Sequence, residues 1–127
     1  MRAKLLIIII ACSALLACAK AETEAEKSAR LNALFKADQL KMITEFFNAQ
    51  TKGASVKAFG CANEPNSLIA LKSWSVVDEQ SVDSTAGIYT IRAESSNQAG
   101  LSVTKLWRLQ VGKENGKFCV ESFGEKQ

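Results

Sequence analysis

Histidine is absent from all 127 residues, and its absence excludes several common kinds of catalytic and metal site. Without an imidazole there is no Ser-His-Asp triad or Cys-His pair, and zinc loses one of its usual ligands. The chain also lacks a Gly-x-Ser-x-Gly elbow, a phosphate-binding Gly-x-x-x-x-Gly-Lys loop and a Gly-x-Gly-x-x-Gly fingerprint. The sequence therefore predicts a protein that is not an enzyme, with no metal site and no cofactor.

A strong charge of either sign is also lacking. Residues 18–127 carry 14 Lys and Arg against 13 Asp and Glu. No cluster of basic side chains is dense enough to neutralise several phosphates. We therefore expect no nucleic-acid partner.

The first eighteen residues have the composition of a secretory signal. Arg2 and Lys4 precede an apolar run over residues 5–16, and such signals have an apolar region of about 7–15 residues. The run is too short for a transmembrane helix, which needs about 20 residues. The sequence therefore predicts an exported protein whose signal peptide covers residues 1–17.

Residues 15–18, Leu-Leu-Ala-Cys, resemble the lipobox of bacterial lipoproteins. This resemblance implies cleavage before Cys18 and attachment of a diacylglyceryl group, usually with a further acyl chain, to that residue. Two or three such chains hold a protein on a bilayer essentially permanently. In lipoproteins of enteric bacteria, an aspartate directly after the lipidated cysteine is associated with retention in the inner membrane. This chain has Ala19 at that position, so the resemblance implies anchoring on the periplasmic side of the outer membrane, if the host has one. The alternative is an ordinary signal peptide cut near Ala19, and Cys12 is a poorer lipid acceptor because its apolar segment would be short.

Two cysteines are left once residues 1–17 are removed and Cys18 is lipidated, namely Cys61 and Cys119. An even pair in an oxidising compartment most simply forms a disulfide. The alternative is two buried free thiols. Two cysteines without histidine do not make a four-ligand zinc site.

The pattern of the mature chain predicts one helix at the start of a single domain over residues 30–127. Residues 18–29 are small and charged, which suits a tether or the exposed first turns of that helix. Residues 30–50 have helical spacing, and the apolar positions form two neighbouring stripes, Leu31, Leu34, Phe35, Met42 and Phe46 on one and Leu40, Ile43 and Phe47 on the other. The helix is therefore either wide-faced or bent near residues 36–38. Gly53 lies just past its end.

The rest of the chain predicts four to five short strands, at residues 56–61, 68–77, 88–94, 101–111 and 117–123. Short turns between them favour an antiparallel meander, which gives an α+β fold with the helix on a curved sheet. Alternating apolar residues in the fourth segment would face the helix, namely Leu101, Val103, Trp107, Leu109 and Val111. The curl of the sheet would bring Cys61 on the first strand to Cys119 on the last.

This order of elements, with Trp74 on one long strand and Leu106-Trp107-Arg108 on another, resembles the cystatin-like and NTF2-like families of small envelope proteins. The resemblance covers roughly residues 30–123. Catalytic NTF2-like members usually carry a histidine or an Asp/His or Asp/Tyr pair, whereas this chain has no histidine and one tyrosine, Tyr89. It also lacks the Gln-x-Val-x-Gly motif of cystatin inhibitors. The resemblance therefore implies a fold and no activity.

The polar face of the sheet is the candidate interaction surface. Alternation turns Thr104, Arg108 and Gln110 away from the helix, and Arg92 joins them if the strand register allows. Arginine among small hydroxyl residues suits contact with protein or glycan, whereas an ordinary solvated face is the alternative. We expect a membrane-anchored, non-enzymatic module that binds another envelope protein, as an assembly accessory or an inhibitor- or immunity-type lipoprotein.

Other functions remain open at the level of sequence. A carrier or sensor would hold a small apolar ligand in a helix–sheet cone lined by Phe35, Met42, Phe46 and Trp107. Asp78, Glu79 and Asp83 lie near one strand end and would suit a cation or an acid–base pair, with a solvated turn as the alternative. A buried Asp38 facing Tyr89 would suit an enzyme that uses carboxylates alone.

Overall fold

The computed structural model describes residues 23–127, so the predictions for the signal peptide and Cys18 lie outside the described residues. In chain order the elements are α1 (Glu24–Thr51), a short 3-10 helix (Lys57–Phe59), β1 (Ser73–Gln80), β2 (Gly87–Ser96), β3 (Ser102–Glu114) and β4 (Lys117–Glu125). The sheet is antiparallel and open, with the strand order β1-β2-β3-β4. The predicted α+β class and the meander are confirmed, with four strands. Among residues 23–127, no helix has the length and hydropathy needed to cross a membrane.

Helix α1 begins immediately after a capping residue. The Thr23 hydroxyl oxygen accepts a hydrogen bond from the amide of Glu26 at 3.1 Å, which satisfies one of the free amides of the first turn. Residues 24–29, predicted as a tether or as first turns, are helical and exposed. The helix continues without interruption through residues 36–38.

The end of α1 is a Schellman motif. Gly53 has a φ of +69°, and its amide donates to the carbonyl of Gln50 at 3.0 Å. The amide of Ala54 donates to the carbonyl of Ala49 at 2.8 Å. Glycine adopts this left-handed conformation without steric cost, so the predicted end of the helix is confirmed.

The buried face of α1 differs from the predicted one in its first half. Leu31 is 36% exposed and Leu34 is 55% exposed, so these two residues of the first stripe lie outside the core, whereas Phe46 of the same stripe is fully buried. The buried helix positions are Gln39, Ile43, Phe46, Phe47 and Gln50. Their spacing of three and four residues is helical, but two of them are glutamines, which a search for apolar side chains passes over.

Aromatic rings join the helix to the sheet. Phe47 stacks on Trp74 with ring centroids 4.8 Å apart, and Phe46 meets Phe123 edge-on at 5.5 Å. Trp107 stacks on Phe123 at 5.3 Å and is only partly buried. The fully packed centre of the core is completed by Val56, Leu71, Tyr89, Ile91, Ala93, Leu109, Val111 and Val120.

The strand predicted at residues 56–61 is wrong. Lys57–Phe59 form a single 3-10 turn, in which the amide of Phe59 donates to the carbonyl of Val56 at 3.0 Å. Only Gly60 makes an isolated parallel bridge, to Val120. A local hydrogen bond therefore replaces the strand predicted at residues 56–61.

The second predicted strand starts later than expected. Ala70 has a φ of +47°, which an extended strand does not accommodate, and β1 runs from Ser73 rather than from residue 68. The hairpin turn predicted at residues 114–116 is confirmed, with positive φ at Asn115 and Gly116. These angles match the twist of the flanking strands β3 and β4.

The predicted disulfide between Cys61 and Cys119 is present, with Cα atoms 5.1 Å apart. Beside it, the amide of Cys61 donates to the carbonyl of Val120 at 3.0 Å. The bridge thus holds the segment after α1 against β4. The two cysteines are 58 residues apart in the sequence, and β1, β2 and β3 lie between them.

Replacing both cysteines, Cys61→Ala with Cys119→Ala, should lower the free energy of unfolding by about 4 kcal/mol. The chain-entropy model assigns this amount to a loop of this length, because the open chain gains conformational freedom when it unfolds. Urea denaturation of the oxidised protein and of the double variant measures the difference. Reduction of the unmodified protein should give the same loss, and a loss below about 1 kcal/mol would contradict the stapling role.

Candidate functional site

The face of the sheet opposite α1, here called the outer face, carries the predicted interaction residues. The β2–β3 register pairs Thr90 with Arg108, Arg92 with Leu106 and Glu94 with Thr104, while Gln110 pairs with Ile88. Because side chains alternate along a strand, these residues share one face. The register therefore puts Arg92 on the same face as Thr104, Arg108 and Gln110, with Thr104 and Arg108 diagonal to it and Gln110 farther along β3.

Cationic groups dominate the middle of the outer face. Arg92 and Arg108 are exposed, and within residues 23–127 neither guanidinium forms an ion pair with a carboxylate. Lys126 extends this group, because its amide donates to the carbonyl of Leu106 at 3.0 Å and its Nζ donates to Thr90 Oγ1 at 3.4 Å. Three positive side chains thus surround one small area of the sheet.

Apolar side chains lie among these cations. Leu106 is 39% exposed and stands directly opposite Arg92. Val77 is 42% exposed and is the extra residue of a β-bulge between Val76 and Asp78. Aliphatic groups beside unpaired arginines resemble the composition of a protein interface, where arginine is enriched.

A groove of about 320 Å³ extends the outer face past β4, between it and the 63–66 loop. Asn66 Nδ2 donates to the carbonyl of Phe123 at 2.9 Å, which fixes the loop. Arg108 lines the groove together with three carboxylate residues, Glu64, Glu121 and Glu125. The groove is therefore of mixed charge, with Arg108 among three carboxylates.

Leu106 and Lys126 are among the residues of the outer face that the sequence prediction omits. Leu106 has the same parity as Thr104 and Arg108, so strict alternation along the strand was a sufficient signal. Lys126 lies beyond the predicted strand end at residue 123, and only the observed pairing next to β4 places it beside Leu106.

Tyr89 faces a glutamine rather than the predicted carboxylate. Asp38 is exposed, whereas Gln39 is fully buried and its Oε1 accepts a hydrogen bond from the Tyr89 hydroxyl at 2.8 Å. Gln39 Nε2 donates to the carbonyls of Asp83 and Ala86, each at 3.0 Å. The proposed carboxylate–tyrosine pair is thus wrong, because the next helix position points inward in place of Asp38.

The acidic residues near the β1–β2 turn have separate partners. Glu79 forms an ion pair with Lys36. Asp83 Oδ1 accepts from the amide and hydroxyl of Thr85 at 2.8 and 3.0 Å and from the amide of Ala86 at 2.9 Å. These bonds, those of Thr85 first, lower the pKa of Asp83. Within residues 23–127, no three His, Cys, Asp or Glu side chains come together as a metal site.

The residues predicted to line one helix–sheet cone lie in different places. Phe46 is fully buried in the core. Phe35 and Met42 line a groove of about 380 Å³ that also contains Phe118, and Trp107 lines another of about 330 Å³. The single cone is therefore wrong, because the aromatic core fills the space between the two grooves.

Comparison with protein-family models, with curated proteins and with solved structures finds no match for the chain. The possible function is accordingly inferred from the chemistry of the outer face and of the grooves. Of these, the outer face brings together the largest number of the residues that the sequence analysis selected, Arg92, Thr104, Arg108 and Gln110.

Tyr89 should ionise only in strongly alkaline solution. Its burial, and secondly the negative charge of Glu79, raise the pKa of the phenol from 10.0 to about 12. Since the folded state holds the neutral phenol, this contribution to stability is complete below pH 10 and is lost as the pH rises toward 12. Ultraviolet absorbance measures this directly, because Tyr89 is the only tyrosine.

The unfolded protein in urea is the control for this titration and should show a midpoint near the ordinary tyrosine value of about 10. Circular dichroism at each pH establishes that the folded sample is still folded. A folded-state midpoint equal to that in urea would contradict the buried Gln39–Tyr89 contact.

Proposed function

We propose that this protein is a non-enzymatic, membrane-anchored lipoprotein of the bacterial envelope that binds another envelope protein through the outer face of its sheet. The partner presents carboxylates to Arg92 and Arg108 around an apolar contact on Leu106. The observation that carries the proposal is the juxtaposition of these three exposed side chains, in which neither guanidinium forms an ion pair with a carboxylate of residues 23–127.

Desolvation explains why such a face would bind. A guanidinium that has no carboxylate in its own chain can form a bidentate pair with a partner's carboxylate. Burial of Leu106 and Val77 would remove apolar surface from water at the same time. The groove beside Arg108 offers space for a partner side chain at the edge of the patch.

Anchoring through Cys18 is the second part of the proposal, and it is supported by the lipobox-like residues 15–18. A lipid anchor keeps the domain on one membrane surface, where its partner would also lie. We further propose a cystatin-like or NTF2-like relationship, supported by the order of one N-terminal helix and four antiparallel strands.

The substitution Cys18→Ser should move the protein from the membrane fraction to the soluble fraction, because the thiol that carries the diacylglyceryl group is lost. Fractionation of cells followed by immunoblotting measures this. Cys12→Ser is the matched control and should leave the protein on the membrane. Retention of the Cys18→Ser variant on the membrane would contradict the lipoprotein assignment.

A photocrosslinking amino acid at position 106 of the anchored protein should capture one dominant envelope protein in living cells. The same group at exposed position 52, just past the end of α1, is the control and should capture little. Mass spectrometry of the crosslinked product identifies the partner.

Reversal of charge at the outer face tests the same contact through its electrostatics. Arg92→Glu with Arg108→Glu should lower the crosslink yield at position 106 by about tenfold or more, since like charges would then oppose each other. Lys52→Glu with Lys57→Glu changes the net charge equally and should leave the yield unchanged. Equal losses in both pairs, or none in either, would contradict docking on the outer face.

A further inference from the structure

A separate groove of about 330 Å³ lies on the inner side of the sheet, near the β2–β3 hairpin. It is called here the Trp107 groove, and its lining consists of Ser67, Leu68, Ile69, Ser95, Ser96, Asn97, Gln98, Val103, Lys105 and Trp107. No residue of α1 lines it, because the helix ends before this part of the sheet. The side chains of Ser95, Val103 and Trp107 alternate with those of the outer face.

The lining favours an uncharged, largely apolar ligand. Val103 and Trp107 supply an apolar surface on β3. Ile69, which is 64% exposed, also lines the groove. The only charged lining residue, Lys105, is engaged by Glu125 at 3.4 Å. The other polar members are serines and amides, which suit a neutral polar group.

Two buried hydrogen-bond donors without acceptors adjoin this groove. They are Trp107 Nε1 and Gln50 Nε2, and within residues 23–127 they are the buried side-chain polar atoms that lack a partner. Trp107 lines the groove itself, while Gln50 Oε1 accepts from the amide of the lining residue Leu68 at 2.7 Å. Buried N–H groups are normally paired, so the indole N–H of the lining residue Trp107 is a donor that suits a ligand carrying an acceptor.

The loop that carries Ile69 is hydrogen-bonded on both sides of this residue, from the amide of Leu68 to Gln50 Oε1 at 2.7 Å and from the amide of Lys72 to the carbonyl of Glu94 at 2.9 Å. The amide of Ser96 donates to the carbonyl of Ile69 at 2.9 Å, and Ala70 follows with a positive φ of +47°. The indole nitrogen of Trp107 is inaccessible to solvent, so a ligand atom in the groove reaches it only when a side chain that covers it moves aside.

We propose that the Trp107 groove binds a neutral acyl compound, an ester or amide with a short alkyl chain. The chain packs against Ile69, Val103 and Trp107. The carbonyl oxygen accepts a hydrogen bond from Trp107 Nε1. This site uses the inner side of the sheet, so it is independent of partner binding at the outer face.

Nuclear magnetic resonance of the Trp107 indole N–H tests the proposal. The sample is the mature chain with Cys18→Ser, so that no attached lipid competes. Trp74→Phe assigns the indole signal. Titration with monooctanoylglycerol, kept below its micelle concentration, should shift the signal of Trp107 downfield to saturation.

Octyl glyceryl ether is the matched probe, because it has the same chain and head but no carbonyl. It should bind about tenfold more weakly, as expected for the loss of one hydrogen bond to a buried donor. Equal binding of ester and ether would overturn the carbonyl contact. Absence of a saturable shift with the ester would overturn the site.

Two exposed substitutions locate the binding. Ile69→Asp should weaken the ester about tenfold, because it places a charge on the apolar wall. Leu106→Asp makes the same change on the outer face and should leave the affinity unchanged. If Leu106→Asp weakens binding as much as Ile69→Asp, the ligand does not occupy the Trp107 groove. Folding of both variants is checked by the dispersion of their amide spectra.

Discussion

The side-chain amide of Gln39 is the contact on which the packing of helix against sheet depends. It is fully buried, and a buried amide is costly unless its polar atoms find partners. Its nitrogen donates to the carbonyls of Asp83 and Ala86, and its oxygen accepts from the Tyr89 hydroxyl. An apolar residue at this position would leave the buried Tyr89 hydroxyl without its acceptor and would remove one donor each from the carbonyls of Asp83 and Ala86. The three hydrogen bonds therefore fix both the rotation and the position of α1 against the β1–β2 turn.

The glycine at the start of β2 belongs to the same constraint. A Cβ atom at Gly87 would overlap the side-chain oxygen of Gln39. With α1 fixed there, Ile43, Phe46 and Phe47 fall over the middle of the sheet. The helix then ends at its Schellman turn, so one helix covers part of one face. An antiparallel sheet tolerates this, and the uncovered regions become the outer face and the Trp107 groove.

Local rules were enough to predict much of this fold from sequence. The positive φ required at Asn115 and Gly116, the helix stop at Gly53 and the alternation of β3 each depend on neighbouring residues. The failures share a different cause. The hydrogen-bond partners of the buried Gln39 lie 44 to 50 residues away in the sequence. The segment around Cys61 is held by a disulfide to Cys119, which is 58 residues away. Alternation along the strands was enough to predict which residues share the polar face. That Arg92 and Arg108 form no ion pairs within residues 23–127 is known only from the positions of the side chains.

The outer face differs from an ordinary solvated sheet in how its charges are used. Glu94 follows Arg92 by two residues on the same side of β2, and Asp78 pairs with Thr90, next to Arg108 across the sheet. Neither carboxylate approaches a guanidinium within ion-pair distance. A solvated face gains little from surface ion pairs in any case, since they contribute about 0–1 kcal/mol. Unpaired arginines therefore cost the fold little, yet they remain available to a partner whose binding excludes water and strengthens each charge–charge contact.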